Sequence, residues 1–418
     1  QATESKFLPP ALRSRNYRLF FGGQGISLIG TWMTQIATVW LVYHITNSAF
    51  MLGVVGFTSQ IPNFLLTPFG GVFADRFPRR QILVTTQILS MVQSLTLAAL
   101  ALSNTIEIWH IIGLSLFQGT ISAVDAPARQ VFVTELVDRK QDLPNAIAIN
   151  STMFNGARLI GPAIGGLLIA RVGEGYCFLI DGLSYIAVII ALLAMRLKPK
   201  SIPVADGNPL QKIKEGFTYA FGCPPIRAIL LLSCLVSLMG MQYTVLVPVF
   251  ANKILKGDAQ TLGFLLAASG VGAVAGGIYL ATRTTVVGLG KLVVIGPAIL
   301  GIGLITFALS RFLPLSLLAM LTIGLGVILQ VAAGNTIVQT IVEDDKRGRV
   351  MSLYTMSFLG ITPFGSLLGG SLADRIGATP TLIIAGSACI LGSIFFSKQL
   401  PPLKKIVHEI YRRKGILN

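Results

Sequence analysis

Charge is what this chain is short of. Only 12% of its 418 residues are charged and 53% are hydrophobic, with a mean hydropathy of +0.73. A soluble protein carries roughly 25% charged residues. The shortfall leaves too few charges to cover a water-facing surface, which excludes a soluble globular protein and implies an integral membrane one. Acidic residues are scarcer than basic ones, 17 against 33, giving a net charge of +16. The only histidines, His44, His110 and His408, are scattered, so no metal site is indicated. Cysteines Cys177, Cys223, Cys234 and Cys389 form no C-x-x-C pair and sit in or beside apolar runs, where they read as small packing residues. No nucleophile–base constellation is evident. The nearest glycine-rich candidate for a phosphate loop, Gly288-Leu-Gly290-Lys291, lacks the spacing of Gly-x-x-x-x-Gly-Lys-[Ser/Thr]. These absences argue against an enzyme, against a bound cofactor and against ATP as a direct energy source. No cleavable signal peptide is evident either: the first ~15 residues are polar and basic, and the first apolar run is long enough to remain as a helix.

Long apolar runs are what the chain has in abundance. A helix needs about 20 apolar residues to span a bilayer. Twelve such spans are expected at roughly 16–43, 50–74, 81–102, 107–135, 145–170, 176–196, 227–250, 261–282, 289–310, 314–341, 349–373 and 379–398. Prolines within them (Pro62, Pro68, Pro127, Pro162, Pro248, Pro297 and Pro363) are compatible with membrane helices, because neighbouring helices re-satisfy the freed backbone groups. Most connections are short. The exception, 197–226, holds Lys198, Pro199, Lys200, Pro203, Gly207 and Pro209. The expected organisation is therefore a segment 1–15, a six-helix bundle 16–196, a linker 197–226, a second six-helix bundle 227–398 and a basic tail 399–418. The fold class is all-α and membrane-integral, with two pseudo-symmetric halves of six helices. An internal repeat supports the duplication. Gly165-Gly166-Leu-Leu-Ile-Ala-Arg171-Val-Gly173 ends span five, and Gly369-Gly370-Ser-Leu-Ala-Asp374-Arg375-Ile-Gly377 ends span eleven.

The basic residues are asymmetric between the two sides. One side collects Arg13, Arg15 and Arg18, then Arg76, Arg79 and Arg80, Arg139 and Lys140, the linker lysines, Arg283 and Lys291, Lys346 to Arg349, and the tail from Lys398 to Lys414. The other has Arg171, Lys253, Lys256, Arg311 and Arg375. This bias places both termini and the linker in the cytoplasm and accounts for the net charge without a nucleic-acid partner. Pro209–Arg227 and the tail 399–414 are candidates for amphipathic helices on the anionic inner leaflet.

Two motifs stand out. Gly71-Val-Phe-Ala-Asp75-Arg76-Phe-Pro-Arg79-Arg80 sets a charge cluster between two apolar runs, where it must lie in water as a short loop. Gly161-Pro162-Ala-Ile-Gly165-Gly166 lies within span five. The first resembles the loop signature of the major facilitator superfamily, with Pro78 where the family usually has Gly. The second is similar to the antiporter signature of its proton-coupled drug exporters. The resemblance implies a secondary transporter of two parallel halves working as a monomer, with substrate held near the midplane. It also gives the loop a gating role, in which Arg79 pairs with an acid at the end of span four, Glu135 being the candidate. Polar residues on spans one, four, seven and ten then become cavity candidates: Gln24, Gln35, Gln118, Ser122, Gln242, Tyr243, Gln330, Asn335 and Gln339, with Asn155 on span five.

Charges inside the spans are few. Arg158 lies midway along span five, where a charge costs at least about 2.5–3.5 kcal/mol on insertion scales and so calls for a partner. Asp125 is expected to supply it, since positions 125 and 158 are nearly equidistant from the turn joining spans four and five. Arg129, one turn along from Asp125, is the alternative, although Pro127 disturbs that turn. A substrate that displaces the arginine opens Asp125 to a proton, so substrate and proton compete for one buried network. Asp181, near the outer end of span six, is expected to pair with Arg171 in a structural role.

The resemblance narrows further. Gly30-Thr-Trp32-Met-Thr-Gln35, Asp125-Ala-Pro127-Ala-Arg129-Gln130, Leu143-Pro144-Asn145-Ala146-Ile-Ala-Ile-Asn150 and Phe154-Asn155-Gly156-Ala157-Arg158 occur in order and are similar to the enterobactin-exporter-like branch, which includes macrolide and siderophore exporters. Membership implies export of bulky amphipathic, drug- or siderophore-like molecules; with the antiporter-like motif and the Asp125 network, the expectation is proton-coupled efflux across the bacterial cytoplasmic membrane. An importer, a uniporter or a lipid flippase of the same fold is the alternative, and a membrane enzyme or sensor a remote one. Ser115 stands before Leu-Phe-Gln118-Gly119, where many proton-coupled exporters carry an Arg linked to proton transfer, so this chain departs from their usual coupling route.

Overall fold

The computed structural model describes residues 9–137, 139–196, 209–283, 285–343 and 346–413, with side chains at all of these except 67–76, 140 and 209–213. The described residues build thirteen main helices: α1 Arg15–Thr46, α2 Ala49–Arg76, α3 Arg79–Leu102, α4 Ile108–Glu135, α5 Leu143–Val172, α6 Glu174–Ala194, α7 Pro209–Gly222, α8 Pro224–Ile254, α9 Ala259–Ala281, α10 Leu289–Leu309, α11 Leu313–Ile341, α12 Arg347–Ile376 and α13 Ala378–Arg413. All but α7 are long and apolar enough to cross a membrane. They coincide with the twelve spans expected from hydropathy. Large apolar side chains such as Ile190, Leu391 and Phe395 stand more than half exposed on their outer faces, as lipid-facing helices require.

Local chemistry sets the helix ends. Ser14 accepts from the Tyr17 amide to start α1, and Asn47 ends it in the left-handed conformation at φ 49°. Glu107 and His110 form a reciprocal cap at the start of α4. Helices α5 and α12 end on Gly173 and Gly377, at φ 90° and 91°, a region that favours glycine. Those glycines close the two copies of the internal repeat. Helix α13 runs through Pro401 and Pro402 rather than stopping near 398. Leu403 and Tyr411 are buried in the second unit's core, with Leu400 and Val407 packed against it, and this packing carries the helix past the prolines. Helix α7 is shorter than the expected amphipathic segment. Glu215 on it pairs with Arg349 at 2.6 Å, and the Lys346 ammonium lies 4.7 Å from the Tyr219 ring.

The chain divides into two compact units. One comprises Gln1–Asn47, Thr58–Ala205 and Gly257–Ala267; the other comprises Ser48–Phe57, Asp206–Lys256 and Ala268–Asn418. The units thus differ from two blocks of consecutive sequence at 48–57 and 257–267. Paired glycines explain both exceptions. Within the first unit, a Cβ on Gly166 would lie 2.6 Å from the Ala259 carbonyl oxygen and 3.0 Å from Gly263 Cα. Within the second, a Cβ on Gly370 would lie 2.6 Å from the Ala49 carbonyl oxygen and 2.8 Å from Gly53 Cα. Equivalent glycines of the two repeats make the same close backbone approach, which any side chain would block.

Candidate functional site

A cavity of about 620 Å³ lies within the first unit. Its walls come from five helices. Helix α1 gives Gln24, Ser27, Thr31, Trp32 and Gln35, and α4 gives Gln118, Ser122, Asp125, Arg129 and Gln130. Gln87 and Ser90 come from α3, Asn150 and Phe154 from α5, and Tyr185 from α6. Positions 118, 122, 125 and 129 repeat every three or four residues, so α4 presents them along one face. The mixture of amide, hydroxyl and aromatic groups suits a ligand with both polar and apolar parts.

Asp125 is the charged centre of this wall and is only 4% exposed. Its Oδ1 accepts from Thr86 Oγ1 at 2.8 Å and from Gln87 Nε2 at 3.1 Å. Its Oδ2 is held by the Arg129 guanidinium. The expected pairing with Arg158 does not form. Helix α4 continues through Pro127, which leaves the i,i+4 geometry from 125 to 129 intact, and a partner on the same helix needs no alignment between helices. The Arg158 guanidinium instead sits over the Trp32 ring, 5.9 Å from its centroid, and Phe154 meets that ring edge-on at 5.8 Å. Arg158 therefore joins the aromatic part of the region rather than the acid.

The match to known proteins spans nearly the whole chain. Residues 5–411 fit the family described as transmembrane secretion effector. The chain belongs to this family of the major facilitator superfamily. The staphyloferrin A transporter of Staphylococcus aureus is 28% identical, over 93% of this chain and 97% of its own. A multidrug efflux pump of Mycolicibacterium fortuitum is 24% identical, over 85% and 88%. The enterobactin exporter of Escherichia coli is 26% identical, over 90% and 88%. A crystal structure of a POT family transporter in complex with a thioalcohol-conjugated peptide superposes with a TM-score of 0.75, over 93% and 96%, at 12% identity. That likeness carries the fold alone. The protein is thus a membrane transporter and not an enzyme, with efflux proteins among its relatives.

The other expected site residues of this transporter fall into place unevenly. Arg79 and Glu135 form an ion pair between the start of α3 and the end of α4, both largely buried. Arg80 donates to the Leu193 carbonyl at 2.6 Å, placing a cation at the C-terminal end of α6. The side chains at Gly71, Asp75 and Arg76 lie outside the described residues. In the antiporter-like motif, a Cβ on Gly161 would meet Trp32 Cβ at 2.4 Å and one on Gly165 would meet Ile36 Cγ2 at 2.7 Å. Gly161 and Gly165 therefore seat α5 against α1, and Pro162 turns its carbonyl toward Gly263.

Of the cavity candidates, Gln24, Gln35, Gln118 and Ser122 line the cavity. Asn155 does not; its amide is spent on the Ser151 carbonyl of its own helix at 2.8 Å. In the second unit Gln242, Tyr243 and Gln330 are buried packing residues rather than a ligand-facing set. Tyr243 and Ser269 hydroxyls meet at 3.2 Å, Gln330 donates to Ser233 at 2.9 Å, and Gln242 lies against Gly369. Polar groups in an apolar bundle tend to find partners on neighbouring helices: Tyr243 and Gln330 do, whereas the Gln242 amide donates to the Leu238 carbonyl of its own helix at 3.0 Å. Asn335 and Gln339 bond to each other across one turn at 2.7 Å. Asp181 is not paired with Arg171, which is exposed; it accepts from Thr34 and Ser94.

Hydropathy did not single out Thr31, Thr86, Gln87, Ser90, Asn150 or Tyr185. The signal for α3 was present, because Thr86, Gln87, Ser90, Gln93 and Ser94 form a buried polar stripe at helical spacing inside an otherwise apolar span.

Proposed function

We propose that this transporter is a proton-coupled exporter of amphipathic small molecules, with Asp125 and Arg129 as the coupling network. The observation that carries this reading is a buried carboxylate, held by an arginine and two neutral donors, set in the wall of a cavity of about 620 Å³. Asp125 has three alternative partners: the Arg129 guanidinium, a cationic or donor-bearing group of the substrate, or a proton. A proton at Asp125 removes the acceptor the substrate would use, so loading one expels the other. Trp32 and Phe154 supply the apolar and π surface for the remainder of the substrate. The siderophore and drug substrates named for the relatives agree with this chemistry. In this reading the protein sits as a monomer in the bacterial cytoplasmic membrane, both termini and the linker are cytoplasmic, and two six-helix halves, 16–196 and 227–398, rock between two states.

The test is a proteoliposome assay in which a pH gradient of either sign is imposed and lumenal pH is followed while candidate amphipaths are added. Substrate-dependent proton movement is expected. Substrate movement without it would replace the exporter with a uniporter or flippase of the same fold.

Two further outcomes follow. Trp32→Ala is expected to raise the half-saturating substrate concentration about tenfold, the loss of ~1.4 kcal/mol of aromatic contact, with little change in maximal rate. The Arg79–Glu135 pair acts as a latch in this reading, released when the halves rock. Arg79→Glu and Glu135→Arg are each expected to slow transport about tenfold, and the double reversal to recover most of it. A double variant no better than the singles would assign both residues to topology alone.

A further inference from the structure

Asp181 lies about a third of the way along α6, 2% exposed, at a junction of three helices. Its Oδ2 accepts from Thr34 on α1 at 3.0 Å and from Ser94 on α3 at 3.1 Å. Its Oδ1 has no hydrogen-bond partner. No cation pairs with it among the described residues. The groups facing it from α1 and α3 are the neutral hydroxyls Thr34 and Ser94, together with Gly30, on which a Cβ would lie 2.7 Å from Oδ1. On α6 itself the neighbouring ionisable groups are Cys177 and Tyr185, with Glu174 beyond Cys177. Glycine at position 30 is thus what leaves room for the carboxyl.

A buried carboxyl in a membrane bundle needs a counter-ion or a proton. Here two donors converge on one oxygen, no cation is at hand, and the other oxygen is left open. Tyr185 connects this pocket to the transport cavity. Its hydroxyl stands near the Asp181 carboxyl, and its side chain lines the cavity together with Thr31, Gln35, Asp125 and Arg129.

We propose that Asp181 is a second proton-carrying site of this transporter, linked to the cavity through the Tyr185 hydroxyl. The inference rests on the proton-coupled reading above. The step is a proton transfer without other bond changes. The Asp181 carboxylate takes a proton from the Tyr185 hydroxyl, and a proton arriving from bulk solution through cavity water restores that hydroxyl, so that one proton is taken up in all; release runs the same path in reverse.

Infrared difference spectroscopy of the reconstituted, substrate-free protein reads this directly. Wild type is expected to show a protonated-carboxyl stretch that Asp181→Asn removes and Asp181→Glu displaces. Tyr185→Phe is expected to slow hydrogen–deuterium exchange of that band about tenfold. Thr34→Val, which removes a donor to Oδ2 and leaves the carboxyl in place, is expected to shift the band and covers the case in which the Asn variant folds poorly. In proteoliposomes Asp181→Asn is expected to retain substrate binding and to lower substrate-driven proton flux at least fivefold. A band unchanged in Asp181→Asn, or an undiminished flux, overturns the proposal; exchange unaffected in Tyr185→Phe overturns the route. The spectra need neither substrate nor gradient. Their failure would leave Asp125 coupling untouched, whereas failure of coupling would show as absent proton flux in wild type.

Discussion

Asp125→Asn is expected to abolish substrate-driven proton movement, by about 100-fold or more, while substrate still enters the cavity. Asparagine keeps the shape of the side chain and one carbonyl acceptor for Thr86 and Gln87, which lie 2.8 and 3.1 Å from Oδ1. It loses the titratable oxygen and the countercharge to Arg129. The Arg129 side chain is 31% exposed to the cavity, so part of its charge stays solvated and the fold should survive. Arg129→Gln in the Asn background removes any remaining uncompensated charge. The pair of variants therefore separates coupling from stability: lumenal pH in proteoliposomes reports the first and thermal melting in detergent the second. Proton flux that persists in a folded Asp125→Asn protein would move the coupling carboxyl elsewhere in the chain.

The second large effect is on folding. Gly272→Ala and Gly324→Ala are each expected to collapse the yield of folded, monodisperse protein. A Cβ on Gly272 of α9 would lie 1.9 Å from the Leu321 carbonyl oxygen of α11. A Cβ on Gly324 of α11 would lie 1.9 Å from the Ser269 carbonyl oxygen of α9. The two contacts are reciprocal, and both obstacles are backbone oxygens that no rotamer change can move. One methyl group must push two helices apart along their length, at a cost at or above the roughly 1–3 kcal/mol of ordinary core overpacking. Gly113→Ala and Gly277→Ala are the controls, because nothing lies within 4 Å of the added methyl at either position. Size-exclusion profiles and melting temperatures are expected to separate the two classes cleanly. Equal behaviour of all four variants would refute the close helix approach.

Much of this was legible in the chain. The membrane class followed from the charge deficit, and the twelve spans from apolar runs of bilayer length, because a bilayer forces each crossing to be a helix that satisfies its own backbone. The repeat at Gly165–Gly173 and Gly369–Gly377 could be read directly, and the two glycines that end it share one backbone conformation. Arg79 and Glu135 meet as the resemblance of the loop signature implied, across the α3–α4 hairpin. Gln24, Gln35, Gln118 and Ser122, singled out because the resemblance gives spans one and four a place on the pathway, line the cavity, and Asp125 shares their face of α4.

Depth was not enough to choose a partner. Asp125 has arginines at similar depth on its own helix and on the next, and only the rotation of α5 decided that Arg158 turns to Trp32 while Arg129 takes the acid. The same limit applies to Asp181, whose depth suggested Arg171 but whose side chain points between α1 and α3. It applies again to Gln242, Tyr243 and Gln330, which hydropathy could not tell from cavity residues because a polar group facing a neighbouring helix and one facing a cavity have the same period. The sequence by itself determined what must cross the membrane and how often, since the solvation of backbone and charge is a property of each segment alone. Which buried charges meet, which face opens on a cavity, and which short segments join the other unit were decided by the tertiary structure. Those depend on helix rotation and close packing between segments distant in the chain, set here by glycines such as Gly30, Gly161, Gly166 and Gly370.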